Sequence, residues 1–319
     1  MKQFENLGIK TEILEKLRKR GIKNPTSIQK KVIPSILDKK DVIIKAKTGS
    51  GKTLAFLLPI LNKNPQGTVL ILAPTRELVI QIFEEAEKIN VNNFKILPVY
   101  GGKSYSHQEE TLKGKVDMII ATPGRLMDFY KGGQVKFDSL KFLIVDEADQ
   151  MLLLGFKKEL DEILQILPKK RQTLCVSATF DKEVKKLVYG VTNEALLIEE
   201  NDNQDNIEKI VIDVNSRSKF DALCTVLNEE KPYMAIIFTK TKLKADKLEE
   251  KLSYKFYSTQ KIHGDISQVK REKILKSFKN VEFRYLIKKL MAEILPGVIL
   301  VSSKSKNTLT YCPLIMSFI

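Results

Sequence analysis

Short apolar runs rich in β-branched residues alternate along the chain with longer stretches in which apolar residues recur every three or four positions. The apolar runs predict buried strands at residues 42–44, 68–72, 94–99, 118–121, 142–145 and 173–176. The periodic stretches predict intervening helices at residues 54–61, 77–89 and 157–167. Strands and helices in this alternation are typical of a doubly wound α/β fold with a mostly parallel sheet.

A polar stretch without periodicity, E-E-N-D-N-Q-D-N at residues 199–206, interrupts this alternation and indicates a linker. The alternation then restarts, with predicted strands at 210–214 and 235–238 and predicted helices at 219–227 and 242–252. A chain of 319 residues is long enough for two ordinary domains. We therefore predict a first domain over residues 1–200, a linker over 201–206 and a second domain from residue 207.

Charge and cysteine usage narrow the class of protein. The chain has 54 Lys and Arg residues against 39 Asp and Glu, a net charge of +15. That excess favours an anionic partner such as nucleic acid, although a lysine-rich solvated surface explains it equally well. Cys175, Cys224 and Cys312 match no zinc or disulfide spacing, which is typical of a reducing compartment. No stretch approaches the roughly 20 apolar residues of a membrane span, so we expect a cytoplasmic protein without a membrane partner.

The first predicted strand runs directly into the segment A-K-T-G-S-G-K-T at residues 46–53. Glycines without a β-carbon let backbone N–H groups close around phosphate oxygens, and the N-terminus of the following helix adds positive potential. Lys52 can reach the β- and γ-phosphates, and the Thr53 hydroxyl can bind magnesium. The predicted nucleoside triphosphate site comprises Ala46, Lys47, Thr48, Gly49, Ser50, Gly51, Lys52 and Thr53. A chance glycine turn is the alternative, but the strand–loop–helix context disfavours it.

Four residues, Asp146, Glu147, Ala148 and Asp149, follow the predicted strand at 142–145. Ligands of open α/β sheets bind beyond the carboxyl ends of the strands. Asp146 can hold Mg²⁺ through water, and Glu147 can orient or deprotonate an attacking water. Acidic residues after a strand can also be solvated turn residues. The upstream phosphate loop favours the catalytic interpretation, with Lys52, Asp146 and Glu147 as catalytic residues and Thr53 and Asp146 as metal ligands.

Further segments follow one another in a fixed order. They are G-I-K-N-P-T-S-I-Q at 21–29 with Phe4 upstream, P-T-R-E-L at 74–78, G-G at 101–102, T-P-G-R at 122–125, D-E-A-D at 146–149, S-A-T at 177–179, I-I-F at 236–238 and H-G-D-x-x-Q-x-x-R at 263–271. Together they resemble the DEAD-box family of ATP-dependent RNA helicases over roughly residues 1–286. The resemblance implies two RecA-like P-loop NTPase domains with mostly parallel sheets, ATP and Mg²⁺ as cofactors, and RNA as the partner.

The resemblance also assigns roles at the base of the nucleotide. Gln29 would read the adenine edge and Phe4 would stack on the ring, which implies a preference for ATP. An amide can make a donor–acceptor pair with adenine N6 and N7. The alternatives are a surface amide for Gln29 and a core aromatic for Phe4.

RNA-binding and coupling roles follow from the same resemblance. The implied RNA-binding residues are Thr75, Arg76, Gly102, Thr122, Arg125, Asp265 and Gln268. Hydroxyl, guanidinium and exposed backbone N–H groups recognise phosphate and 2′-hydroxyl groups, so sequence-independent binding is expected. Ser177 and Thr179 would couple hydrolysis to RNA, and Asp149 would be an interdomain contact or, alternatively, a helix N-cap. In the implied mechanism, ATP and RNA close the two domains and separate a short duplex locally.

The family pattern stops after Ile287, where two further motifs, one of them rich in arginine, are expected and absent. We therefore expect a partial second domain over residues 207–287 and a disordered or poorly packed tail over 288–319, produced by a reading-frame disruption or another truncation. An ATP- and RNA-binding fragment with little turnover is accordingly the alternative to an active helicase. A DNA helicase of the same superfamily is a third reading, which RNA-versus-DNA stimulation would test.

Overall fold

The computed structural model describes residues 2–47, 49–102, 110, 112, 114–200, 207–213, 219–255, 257–289, 298–304 and 314–318. The chain divides into two compact units, Met1–Asn201 and Asp202–Ile319. The boundary falls inside the polar stretch that the sequence analysis identifies as a linker. Each unit is an α/β body built on its own sheet.

The first unit contains a seven-stranded sheet. Its strands are Val42–Lys45 (β1), Thr68–Leu72 (β2), Ile96–Val99 (β3), Met118–Ala121 (β4), Leu140–Val145 (β5), Gln172–Ser177 (β6) and Leu196–Glu199 (β7). They lie in the order β3-β4-β2-β5-β6-β1-β7. Every pairing between them is parallel. The parallel sheet predicted from the alternation of elements is therefore confirmed.

Helices cover both faces of this sheet. They are Lys2–Glu5 (α1), Thr11–Lys19 (α2), Ser27–Leu37 (α3), Lys52–Lys63 (α4), Arg76–Ile89 (α5), Pro123–Lys131 (α6), Ala148–Leu153 (α7), Lys157–Ile166 (α8) and Lys182–Val191 (α9). Successive strand residues face opposite sides, so Val42 and Ile44 pack with α1 to α5 while Ile43 packs with α6 to α9. Burial of both faces explains why the strands are continuous apolar runs in the sequence.

The described residues of the second unit form a six-stranded sheet and three helices. Its strands are Ile207–Asp213 (β8), Ala235–Thr239 (β9), Thr259–Ile262 (β10), Tyr285–Lys289 (β11), Val298–Lys304 (β12) and Leu314–Phe318 (β13). Its helices are Lys219–Glu230 (α10), Lys242–Tyr254 (α11) and Gln268–Lys279 (α12). The strand order is β10-β11-β9-β13-β12-β8. The first four strands are parallel, and β12 is antiparallel to both of its neighbours.

Residues 288–319 depart from the expectation of a disordered or poorly packed tail. Val298–Lys304 pairs with β8 and Leu314–Phe318 pairs with β9. The expectation is therefore corrected for these two strands, and the second sheet is larger than the sequence analysis expected. Both segments are rich in apolar and β-branched residues, which have high strand propensity, and backbone pairing needs no helical or alternating pattern. The intervening residues 290–297 and 305–313 lie outside the described part.

Across the described ranges, no helix combines the length and the apolar character needed to cross a lipid bilayer.

Candidate functional site

Backbone hydrogen bonds continue beyond the carboxyl ends of the first sheet and fix the segments that follow the strands. Thr122 N donates to Val99 O at 3.0 Å and Ala73 N donates to Ala121 O at 2.9 Å. On the other half of the sheet, Asp146 N donates to Leu72 O at 2.9 Å, and Ala46 N donates to Ser177 O at 3.2 Å. The segments after β1, β2, β4, β5 and β6 are therefore held at one edge of one sheet.

The phosphate loop connects β1 to α4 through two glycines with positive φ. Gly49 has φ +87° and Gly51 has φ +89°, a left-handed conformation that strains residues with a β-carbon. A β-carbon on Gly51 would also lie 2.6 Å from Gln29 Nε2, so the position excludes larger residues on two grounds. The buried hydroxyl of Ser50 has no hydrogen-bond partner among the described residues. Thr48 lies outside the described residues.

Lys52, the first residue of α4, folds back onto this loop. Its Nζ donates to Ala46 O at 2.8 Å and to Lys47 O at 2.6 Å. Burial lowers the pKa of Lys52, and the nearby carboxylates of Asp146 and Glu147 oppose that shift in pKa. The ammonium group is thus held beside the acidic residues by carbonyl oxygens, which phosphate oxygens can replace as acceptors.

Gln29 joins the N-terminus of α3 to the same loop. Thr26 caps α3, accepting from Gln29 N at 3.4 Å, while Gln29 Oε1 accepts from Thr26 N at 3.0 Å. Gln29 Nε2 then donates to Gly51 O at 3.1 Å. This amide is only 2% exposed. One N–H of the amide therefore donates to the loop. The second N–H and the remaining lone pair of the carbonyl oxygen could form hydrogen bonds with a base.

Asp146 and Glu147 place two carboxyl groups at the end of β5. Burial, followed by the charge of Glu147, raises the pKa of Asp146 to about 7, although Lys52 and a hydrogen bond from Glu147 N oppose the shift. Burial and the charge of Asp149 also raise the pKa of Glu147. Glu147 has φ +51° and ψ +52°, which is uncommon for a residue with a side chain. A cation beside these carboxyl groups would stabilise their ionised forms.

The donor set fits a magnesium–nucleotide complex better than a metal held by protein alone. Mg²⁺ prefers a few protein oxygens together with water and phosphate oxygens. The hydroxyl of Thr53 and the carboxyl of Asp146 are ligands of this kind. Among the described residues, no group of three or more His, Cys, Asp or Glu side chains could hold a metal ion. The glycine turn, the unpartnered Ser50 hydroxyl and the buried Asp146 are consistent with this fit.

Asp149 is bound within the first unit. It is 5% exposed, and its Oδ2 accepts from both the backbone N and the Oγ1 of Thr179 at 3.0 Å. Its Oδ1 accepts from Gln150 N at 3.1 Å, and Ser177 Oγ donates to Thr179 O at 2.8 Å. The Asp149 carboxylate therefore links the D-E-A-D segment to the S-A-T segment within the first unit, and its interdomain role stays a prediction.

The candidate RNA-binding residues of the first unit follow β2, β3 and β4, on the other half of the same sheet edge. Thr75 caps α5 by accepting from Leu78 N at 3.2 Å. A β-carbon on Gly101 would lie 3.0 Å from Arg76 Nη2, so the guanidinium lies close against this glycine. Gly102 is exposed with φ +89°.

Two further candidates of this group precede or begin α6. Thr122 is buried at the start of the helix and its side chain makes no capping hydrogen bond. Arg125 is half-buried, with Cζ 5.9 Å from the centre of the Phe129 ring. The structure thus places the hydroxyl, guanidinium and glycine groups of these five candidates at the same edge of the first sheet.

The second unit contains two further candidates, Asp265 and Gln268. Asp265 lies in the turn between β10 and α12, and its Oδ1 forms an ion pair with Lys242 Nζ. Gln268 is the first residue of α12. Both residues belong to the second unit.

Phe4 corrects another expectation. Its side chain is fully buried in the apolar core beside α2 to α5 and has no exposed ring face. Stacking on adenine would require the ring to leave that core, so the alternative of a core aromatic holds.

Sequence reasoning missed two residues near the nucleotide candidates. Thr26 contacts the loop region closely, since its Oγ1 would lie 3.2 Å from a β-carbon on Gly51. The T-x-x-Q spacing of a capping box could have identified it. Glu200 follows β7, where Glu200 N donates to Lys45 O at 3.0 Å. Burial lowers the pKa of Lys52, and the Glu200 carboxylate is one of the nearby charges that oppose this shift in pKa. Only the sheet order, which puts β7 beside β1, reveals it.

Comparison with known proteins gives two family matches. The model of the DEAD/DEAH box helicase family matches residues 26–187. The model of the helicase conserved C-terminal domain matches residues 218–293. Matches in both halves do not favour the alternative of a fragment without turnover.

Individual relatives agree with these matches. The DEAD-box ATP-dependent RNA helicase CshA of Geobacillus kaustophilus is 37% identical over 295 residues, which cover 90% of this chain. The chain spans 63% of that relative's length. The crystal structure of a DEAD box protein from Methanococcus jannaschii matches with a TM-score of 0.60 and 36% identity, covering 90% of this chain and 80% of that one. S. cerevisiae Dbp5 bound to RNA and ADP BeF3 matches with a TM-score of 0.82 and 25% identity, covering 93% and 79%.

Proposed function

Because this chain belongs to the DEAD/DEAH box helicase family, we propose that it is an ATP-dependent RNA helicase. It binds RNA through contacts to the RNA backbone and couples ATP hydrolysis to local strand separation. The two sets of groups at one sheet edge carry this proposal. Nucleotide-binding groups follow β1, β5 and β6, and RNA-binding groups follow β2, β3 and β4. The hydrogen bond from Asp146 N to Leu72 O joins the two halves at 2.9 Å.

ATP binding begins at the phosphate loop. Backbone N–H groups around Gly49 and Gly51 bind phosphate oxygens, and Lys52 exchanges its carbonyl acceptors for the β- and γ-phosphates. Gln29 uses its remaining amide capacity for the adenine edge, which favours ATP over GTP. The rigid connection from Gln29 to Gly51 supports this role, because it holds the base-reading amide at a constant position relative to the loop.

Hydrolysis uses the acidic pair after β5. Thr53 and Asp146 would hold Mg²⁺, in part through water, and the ion would supply charge neutralisation at the phosphates. Glu147 orients the attacking water and accepts its proton, for which a raised pKa is suited. Asp149 transmits the state of this site to Thr179 and Ser177 through the hydrogen bonds at 3.0 Å.

RNA binding is expected to be independent of base sequence. Thr75, Arg76, Gly102, Thr122 and Arg125 offer donors to phosphate and 2′-hydroxyl groups and little to the base edges. The net charge of +15 supports a polyanionic partner. ATP and RNA then tighten each other's binding, because linkage between two sites is reciprocal. The dispersed cysteines support a reducing, cytoplasmic location.

RNA-stimulated ATPase activity tests the proposal. The parent chain is expected to hydrolyse ATP slowly alone, faster with single-stranded RNA, and less fast with DNA of the same sequence. A Glu147→Gln variant should retain ATP and RNA binding and lose turnover, which separates binding from chemistry. Turnover that RNA does not stimulate, or that DNA stimulates equally, contradicts an RNA helicase.

A further inference from the structure

Three side chains connect the turn between β10 and α12 to neighbouring helices. This turn contains His263, Gly264, Asp265 and Ile266, and it is closed by a hydrogen bond from Ile266 N to His263 O at 3.2 Å. The motif H-G-D-x-x-Q-x-x-R begins at this turn and continues into α12. The side chains of His263, Asp265 and Arg271 each contact other residues of the second unit, which indicates a role in holding the turn.

His263 binds the turn to α11. Its side chain is 7% exposed, and its Nε2 lies 3.1 Å from Asp246 Oδ1. Since a carboxylate can only accept, the imidazole N–H donates this hydrogen bond. Lys261 Nζ also contacts Asp246 Oδ1 at 2.9 Å and Glu249 Oε2 at 3.4 Å. Asp246 is therefore oriented from two sides, and it holds His263 in one position.

Two further contacts complete the support. Asp265 pairs with Lys242, which lies four residues before Asp246 and hence on the same face of α11. Arg271, on α12, donates from Nε to Ile266 O at 3.2 Å. The turn is thus connected to α11 through His263 and Asp265 and to α12 through Arg271.

We propose that Asp246 and His263 are positioning residues for RNA binding, which act by holding the turn that presents the backbone of Gly264 to the RNA backbone. This inference rests on the proposed function, because it takes RNA as the ligand of the turn. Asp265 then serves the turn through Lys242 and is not itself a phosphate ligand, since its negative charge would repel phosphate. The backbone at Gly264 is open for close approach: a β-carbon there would meet only Lys242, at 3.7 Å or more.

A purely stabilising His263–Asp246 contact would make a different prediction. Its loss would lower the thermal stability of the second unit and leave the RNA affinity of the folded protein unchanged. A positioning role lowers RNA affinity in folded protein, and a side chain that keeps the donor should restore it. The two roles are therefore separated by RNA affinity measured at a temperature at which every variant is folded.

The experiment compares His263→Leu, His263→Gln and Asp246→Ala with the parent chain. RNA affinity is measured by fluorescence anisotropy with a labelled single-stranded RNA and a non-hydrolysable ATP analogue. Nucleotide affinity and thermal unfolding are measured in parallel. His263→Leu is expected to weaken RNA binding about tenfold, since small misplacements of binding groups have effects of this size or larger. His263→Gln should recover most of the loss, and nucleotide affinity should stay at the parent value.

Glu249→Gln is the matched control. It lies on α11, three residues after Asp246, and contacts Lys261 without reaching the turn. It should leave RNA affinity unchanged. The double variant His263→Leu with Asp246→Ala should be no weaker than His263→Leu alone, because both changes remove the same contact.

The outcomes separate the inference from the proposed function. A parent chain that fails to bind RNA overturns the proposed function. A parent that binds RNA, together with an Asp246→Ala variant of parental affinity, overturns the positioning role. Asp246→Ala tests this role even if His263→Leu does not fold, because Asp246 is at the surface, where substitutions disturb folding little.

Discussion

The side-chain amide of Gln29 donates a hydrogen bond of 3.1 Å to the carbonyl oxygen of Gly51. The contact spans 22 residues and joins the first turn of α3 to the residue that caps α4. Because Gln29 also completes the capping box with Thr26, a change at either end is transmitted to the other. The phosphate loop is thus supported from outside its own segment.

Gly51→Ala is expected to lower the free energy of unfolding more than Gly49→Ala. Both glycines have φ near +90°, which costs a residue with a β-carbon about 1–2 kcal/mol. Only at Gly51 would the new β-carbon also lie 2.6 Å from Gln29 Nε2, whereas nothing lies within 4 Å at Gly49. Chemical unfolding of the two variants measures the difference. Adding Gln29→Ala to Gly51→Ala should recover part of the lost stability, because it removes the clashing side chain. If the two single variants lose equal stability, the steric argument is wrong.

Lys52→Ala should weaken ATP binding roughly 10- to 100-fold, because a charged hydrogen bond to phosphate contributes about 1.5–3 kcal/mol. Lys63→Ala is the matched control. Lys63 ends the same helix and likewise donates to a backbone carbonyl, that of Ile36 at 2.9 Å. Titration with a fluorescent ATP analogue should show loss for Lys52→Ala alone. Equal affinity in both variants would contradict the assignment of the phosphate loop.

The raised pKa of Asp146 predicts that the stability of the folded protein depends on pH. Its folded pKa of about 7 lies above the ordinary value of 3.8, so the folded state binds more protons than the unfolded state between these two pH values. Protonation of Asp146 therefore makes a favourable contribution to the free energy of unfolding below pH 3.8, and this contribution is lost as pH rises through about 7. The penalty at pH 8 is up to about 4 kcal/mol. Asp146→Asn removes the ionisation and should therefore stabilise the protein at pH 8.

The measurement is the free energy of unfolding at several pH values between 4 and 8. The gain from Asp146→Asn should shrink toward pH 4, where the parent carboxyl is largely protonated. Asp138→Asn, at an exposed carboxyl, is the control and should show no such trend. A gain that is constant with pH would show that ionisation of Asp146 is not the cause.

Thr179→Val should lower RNA unwinding more than RNA-stimulated ATPase activity, since it removes the hydroxyl that donates to Asp149. The lost hydrogen bond to a charged group costs about 1.5–3 kcal/mol. Thr179→Ser keeps the hydroxyl and should retain most of the unwinding rate. Comparing unwinding of a short duplex with RNA-stimulated ATPase activity checks the prediction. If both rates fall in proportion in Thr179→Val, the contact supports chemistry and not coupling.

Arg76→Ala should weaken RNA binding with little dependence on sequence and reduce the salt dependence by about one counterion. Arg18→Ala removes the same positive charge from an exposed position on α2. This helix contacts the C-terminal end of α5, through Lys16 Nζ and Asn90 O at 2.9 Å, and is remote from Arg76 at the other end. The slope of log affinity against log salt should change for Arg76→Ala only.

The alternation of apolar runs and amphipathic stretches was sufficient to predict the first sheet and the order of its elements. Burial on both faces makes each central strand a continuous apolar run, so the signal is local. The edge strand β7 escaped notice because Leu196 and Leu197 are partly exposed and the run is short. The strands at 298–304 and 314–318 were also missed, since their pairing depends on partners far along the chain.

The motifs by themselves predicted most residues of the candidate site, because glycine, lysine and carboxylate groups at fixed spacing have few other uses. Tertiary structure decided their surroundings. It buried Phe4 in the core, joined Gln29 to Gly51, bound Asp149 to Thr179 and brought Glu200 near Lys52. These relationships depend on strand order and side-chain packing between segments distant in the chain. Local residue patterns carry no direct information about such distances, and burial and hydrogen bonding are set only when the chain has folded.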